Sequence, residues 1–186
     1  MCRYAFKTYK PHFACFSCRK SFKKPPIEDY LRQRGELQPY KQFLSVSLNK
    51  AKLKKLEAKL GLSREGMEQA YLDAVSTCPD CGERMADLGL DFKPPKKTDA
   101  KAWRIIQGMY RVGHCFHTCG CIGFGYVPKD HSDYLAYLRS RLDSYSHALK
   151  RVSENTEFTP SERDDARSYW GERVKLVEKE IATSER

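Results

Sequence analysis

Phe13-Ala14-Cys15-Phe16-Ser17-Cys18-Arg19-Lys20-Ser21-Phe22, answered far downstream by Cys78-Pro79-Asp80-Cys81-Gly82, is the part of the sequence that decides the fold. Each stretch is a CxxC turn, which presents two thiolates to one ion while its backbone amides turn toward the sulfurs. Zinc takes four such donors in a tetrahedron, so two turns complete one shell. In the second turn Pro79 stiffens the loop and Gly82 supplies the positive dihedral needed after the second ligand. The first has Phe16-Ser17 inside and Arg19 after it, without proline or glycine. Its flanking aromatics, Phe13 and Phe22, are what a hairpin bent around a metal requires. One zinc held by Cys15, Cys18, Cys78 and Cys81 is the first expectation.

A third group of donors, His114, Cys115, His117, Cys119 and Cys121, is rich enough for a second zinc. On a strand, alternation would let His117, Cys119 and Cys121 point together, with Cys115 on the same side and Cys2 as a candidate fourth ligand. A different wiring pairs Cys78/Cys81 with Cys119/Cys121 and leaves Cys15/Cys18 to Cys2, His12 or His117. A third reading has the downstream cysteines simply buried in a glycine-rich turn. Spacing does not choose among these.

Outward from the knuckles, Cys2, Tyr4 and Phe6 alternate with Arg3, Ala5 and Lys7, the period of a strand with one buried face. Pro25-Pro26 ends the extended segment that follows the first turn. Residues 49–75 predict two helices: Leu53, Leu56 and Leu60 share a face, Gly61 supplies a left-handed cap, and Ser63 starts a second helix through Met67, Ala70, Tyr71 and Ala74. CPDCGERMADLG returns to knuckle and strand. Pro94-Pro95-Lys96-Lys97 forms a stiff basic loop. Thr98 or Asp99 caps a helix through Trp103, Ile106 and Met109, and a strand is expected over Gly113–Thr118. Leu135, Leu138, Leu142, Tyr145, Leu149 and Val152 alternate spacings of three and four, the seam of a helix packed along its length. Thr159-Pro160-Ser161-Glu162 combines a capping box with proline at the first helical position. It opens a second helix with the seam Ala166, Trp170, Val174, Val177 and Ile181, joined to the first near Asn155.

FxCxxCxxxF followed by CPxCG is the pattern of zinc ribbons, and the chain resembles one with helices inserted between its hairpins. MCRYAFKTYKPHFACFSCRKSF, MADLGLDFKPPKK, KAW and FHTCGC together resemble an uncharacterised family of small bacterial CxxC/CPxCG proteins over most of the chain. The resemblance implies a shared fold and metal sites and carries no activity. The fold class expected is α+β. A zinc-ribbon-like antiparallel sheet with a helical insertion at about 44–75 occupies residues 1–128, and an antiparallel helical hairpin occupies 129–186.

With 186 residues and 40% apolar content the chain can bury a core. Met1-Cys2-Arg3-Tyr4 does not open a secretory signal, so the eight cysteines are expected to be reduced, in a cytoplasmic, soluble, monomeric protein. The net charge of +10 is concentrated: residues 1–60 carry 15 Lys/Arg against 4 Asp/Glu, whereas 61–128 and 129–186 are near balance. Such a field attracts polyanions. Lys7, Lys10, Arg19, Lys20, Lys23 and Lys24 lie among Tyr4, Phe6, Tyr9, Phe13, Phe16 and Phe22, a mixture of phosphate contacts and stacking faces that suits RNA more than DNA, alone or on a ribosome. Two other functions are open. KLEAKLGLSREGMEQAYL resembles a helix-turn-helix, although Glu57 replaces the small packing residue and Glu65 and Glu68 would face phosphates. A zinc enzyme would take its ion on His117, Cys119 and Cys121 and its base from Asp91 or Glu83, but neither HExxH nor HxE with PCxxC is present. An acidic protein partner would also suit the basic third.

Overall fold

The computed structural model describes residues 9–116 and 125–185. The strand expected over Cys2–Phe6, and Lys7, His117, Cys119 and Cys121, therefore lie outside the described residues. What is described is an α+β protein: a three-stranded antiparallel sheet and seven helices. It divides into two compact units, 9–94 with Phe116 and 95–115 with 125–185.

In the first unit, β1 (His12–Cys15) is central, with β2 (Lys20–Lys23) on one side and the short β3 (Ala86–Asp87) on the other. The register pairs Phe13 with Phe22 and Cys15 with Lys20 in one direction, and Phe13 with Asp87 in the other. Strand alternation puts Phe13 and Cys15 on one face, where they pack with Tyr71, Val75, Cys78 and Met85.

Four helices separate the two knuckles: α1 (Ile27–Gln33), α2 (Leu37–Val46), α3 (Lys50–Leu60) and α4 (Arg64–Val75). The last two are where the sequence places them. The Asn49 side chain accepts from Lys52 N–H, Gly61 closes α3 at φ 64°, and the Ser63 side chain accepts from Gly66 N–H. The first two were not expected, and the helical insertion begins at Ile27 rather than near residue 44. Pro39 explains the discrepancy: it falls in the first turn of α2, where its missing N–H breaks no intrahelical bond, so a residue that reads as a breaker is tolerated. Leu31, Tyr40, Phe43 and Met67 form a buried cluster that collects Leu53, Leu56 and Leu60 from α3.

The second unit holds α5 (Ala100–Arg111), α6 (His131–Glu154) and α7 (Pro160–Ser184). Asp99 is the α5 cap, and Thr159 and Glu162 form the expected reciprocal box at α7. α6 and α7 pack along their length and turn at Asn155. The α6 seam is rotated from the expected one: Tyr134, Leu138, Tyr145 and Ala148 are buried, while Leu135, Leu142 and Leu149 are only partly covered. α5 groups with these helices, not with the knuckles. Residues 113–116 are not a strand. Gly113, at φ 81°, ends α5, and His114 N–H returns to Met109 O. No described helix is long and apolar enough to cross a membrane.

Candidate metal centre

Cys15 ends the central strand and Cys18 sits in the turn to β2. Cys78 follows α4 by three residues and Cys81 lies in the loop that returns to β3. The second knuckle is closed by its own backbone: Cys78 N–H donates to Glu83 O, Gly82 N–H to Cys78 O, and Thr77 bridges Arg84. The residue after the second cysteine is left-handed in both knuckles, Arg19 at φ 53° and Gly82 at φ 75°. The two turns thus share one geometry, and Arg19 adopts it against the steric preference of a side chain.

The four Sγ atoms lie within 4.8 Å of one another. Cys15 and Cys81 are 3.5 Å apart and Cys18 and Cys78 4.0 Å apart, each pair crossing between knuckles. A disulfide needs sulfurs about 2.05 Å apart, and all four cysteines are free thiols. Zn–S bonds of about 2.3 Å in a tetrahedron put sulfurs about 3.8 Å apart, and the two cross-knuckle distances bracket that value. The quartet therefore lies close to the spacing that one tetrahedral ion requires.

Electrostatics point the same way. The bond to Cys81, then burial and the neighbouring thiols, push Cys18 up to about 12. Burial and the Cys81 and Cys78 sulfurs also raise Cys15, while the backbone N–H and the sulfur of Cys18 resist. Burial works against Cys78 as well, but N–H groups of Asp80 and Cys81 outweigh it and bring that thiol to about 7. Four sulfurs this close cannot all ionise unaided, and a divalent cation at their centre removes the repulsion.

The shell around the sulfurs is apolar and largely helical. Tyr71, Leu72 and Val75 of α4 pack on it with Phe13, Phe22 and Met85. The Tyr71 hydroxyl donates to Pro25 O at 2.9 Å, which fastens the end of the first hairpin to the helix that carries the second knuckle. The insertion thus positions the ligands, a role no local motif announces. Lys20 adds an ion pair to Asp80, also between knuckles.

The expected nucleic-acid residues fare unevenly. Lys10 and Lys23 are exposed, Tyr9, Arg19 and Lys24 are half-buried, Lys24 leans on the Phe22 ring, and Lys20 is engaged by Asp80. Phe13 is wholly buried and has no face to offer a base. Asp91 is buried and Glu83 exposed. Among the described residues only Cys15, Cys18, Cys78 and Cys81 form a ligand group of three or more. Comparison with protein-family models, with curated proteins and with solved structures finds no match to this chain.

Proposed function

We propose that this protein is a zinc-stabilised binding module whose knuckle hairpin presents a basic surface to RNA. The observation that carries the reading is the cysteine quartet, spaced for one tetrahedral ion and joined to the insertion through α4. A bound zinc would cross-link the two knuckles, and its binding energy would be folding energy for the first unit. Four thiolates fill the shell and leave no position for a water, so the site is structural rather than catalytic.

RNA is favoured as partner by the charge of the first sixty residues and by the exposed Lys10 and Lys23 on the hairpin. The helix-turn-helix alternative loses ground. α3 packs on α2, α4 packs on α1 and α2, and Glu68 is held by Arg64 and Tyr40. Both reading and alternative are testable by fluorescence anisotropy with a single-stranded RNA and a DNA duplex over a salt series. The RNA reading expects tighter RNA binding that weakens steeply with salt and is reduced by Lys10→Glu with Lys23→Glu at unchanged zinc content. No binding to either polymer at low salt would overturn it.

A further inference from the structure

α3 is an unusual helix for one that serves only packing. None of its residues is fully buried, and no acidic residue occupies its first turn, which instead contains Lys50 and Lys52. Cations there oppose the helix macrodipole. Lys52, Lys55 and Lys59 fall at i, i+3 and i+7, one row along the helix, and all three are exposed, as is Lys54. No carboxylate of the described residues pairs with these four. A row of solvated lysines that no described carboxylate meets, beginning with Lys52 where the helix macrodipole disfavours a cation, points to an anion outside the molecule.

Immediately before the α3 cap stands Leu48, fully exposed, and four residues earlier Leu44, 42% exposed. Ser47 N–H bonds to Leu44 O and Asn49 N–H to Val46 O, so the helical winding continues past the end of α2 and keeps the two leucines on one side. Lys41, also exposed, precedes Leu44 by three residues on the same row. Leu48, with nothing covering it, and the half-exposed Leu44 give a nucleic-acid strand nothing to recognise. An anionic bilayer can use both features: the leucines enter the boundary between headgroups and acyl chains, and the lysines meet the lipid phosphates and carboxylates.

We propose that the α2–α3 turn is a docking surface for an anionic lipid bilayer, with Leu44 and Leu48 as the inserted pair and Lys41, Lys52, Lys55 and Lys59 as the electrostatic contacts. This surface is separate in sequence from the knuckle hairpin, and the inference does not rest on RNA binding. The test is co-sedimentation of the full-length protein, purified with its metal, with vesicles of phosphatidylcholine alone or containing phosphatidylserine. Binding is expected only to the serine-containing vesicles and falls with salt. Leu48→Ser weakens it about tenfold or more, as loss of a buried leucine implies. Lys52→Gln and Lys55→Gln each weaken it about fivefold. All three positions are exposed, and far-UV circular dichroism confirms that the variants fold. Absence of sedimentation with anionic vesicles overturns the proposal. Sedimentation insensitive to Leu48→Ser overturns it as well. If the lysine variants lose RNA affinity while vesicles never bind, α3 belongs to the nucleic-acid surface instead.

Discussion

Gly108 and Gly171 are both inside helices of the second unit, and substituting each with alanine should move stability in opposite directions. A Cβ on Gly108 would stand 1.8 Å from the Tyr134 hydroxyl oxygen and 2.5 Å from Glu180 Oε1. Tyr134 is 4% exposed and donates to Glu180 Oε1 at 3.0 Å, so the ring has no open side to swing into. Gly108→Ala must break or displace that bond, which with a charged acceptor is worth about 1.5–3 kcal/mol, and overpack the junction of α5, α6 and α7 at about 1–3 kcal/mol. Alanine's better helix propensity returns about 1 kcal/mol. The net loss is about 1.5–5 kcal/mol, at about 4–8 °C of melting temperature per kcal/mol for a unit of this size. Gly171 has nothing within 4 Å of its would-be Cβ, so Gly171→Ala keeps only the propensity gain of about 0.8–1 kcal/mol. Thermal unfolding followed by circular dichroism reads both. A Gly108→Ala protein as stable as the parent would refute the close approach of α5 to Tyr134 and Glu180.

Arg19→Gly should stabilise the metal-loaded first unit by about 0.5–1 kcal/mol, since relief of about 1–2 kcal/mol of left-handed strain exceeds the backbone entropy glycine adds; urea denaturation with zinc present measures it, and destabilisation would contradict the shared knuckle geometry. Cys78→Ser should remove one bound ion per chain and unfold the first unit, read by native mass spectrometry and by hydrogen exchange at β1 and α4, whereas Cys115→Ser should leave that ion and the first unit unchanged. Burial, and secondarily the charge of Arg141, lowers His114 to about 4 from its usual 6.5. The unfolded chain therefore takes up a proton between those values that the folded chain refuses. The stability that neutral His114 contributes is complete above pH 6.5 and drains away as the pH falls toward 4. The melting temperature of the second unit should drop through that window, and His114→Gln should flatten the slope.

The two donor pairs were legible because a CxxC turn is local chemistry: four residues specify both the donor pair and the loop that aims it. The same holds for the caps at Ser63, Asp99 and Thr159, where one side chain and one nearby N–H decide an end. Spacing leaves open which pairs meet, and the cluster of Cys15, Cys18, Cys78 and Cys81 answers it for the described residues. What sequence alone could not give depends on partners remote in the chain. α1 and α2 are short, and Pro39 masks the second; they stand because Leu31, Tyr40 and Phe43 find Met67. The rotation of the α6 seam toward Tyr134 and Ala148 reflects the presence of α5: Gly108 leaves room for the Tyr134 hydroxyl, and just past the end of α5 Val112 O accepts from the Tyr145 hydroxyl. Pattern counting on α6 had no access to that third helix. Phe13 shows the complementary error: an aromatic beside lysines reads as a stacking face, yet its place on the central strand buries it under the knuckles.

Native mass spectrometry of the full chain, purified without added metal, measures the metal centre most directly. Zinc bound at one ion or more per chain is expected. One ion should remain when His117, Cys119 and Cys121 are all replaced by alanine, and that ion should disappear on adding Cys78→Ser. A folded parent chain free of metal, or a triple variant that has lost its last ion while Cys15, Cys18, Cys78 and Cys81 are intact, would contradict assignment of the centre to the two knuckles.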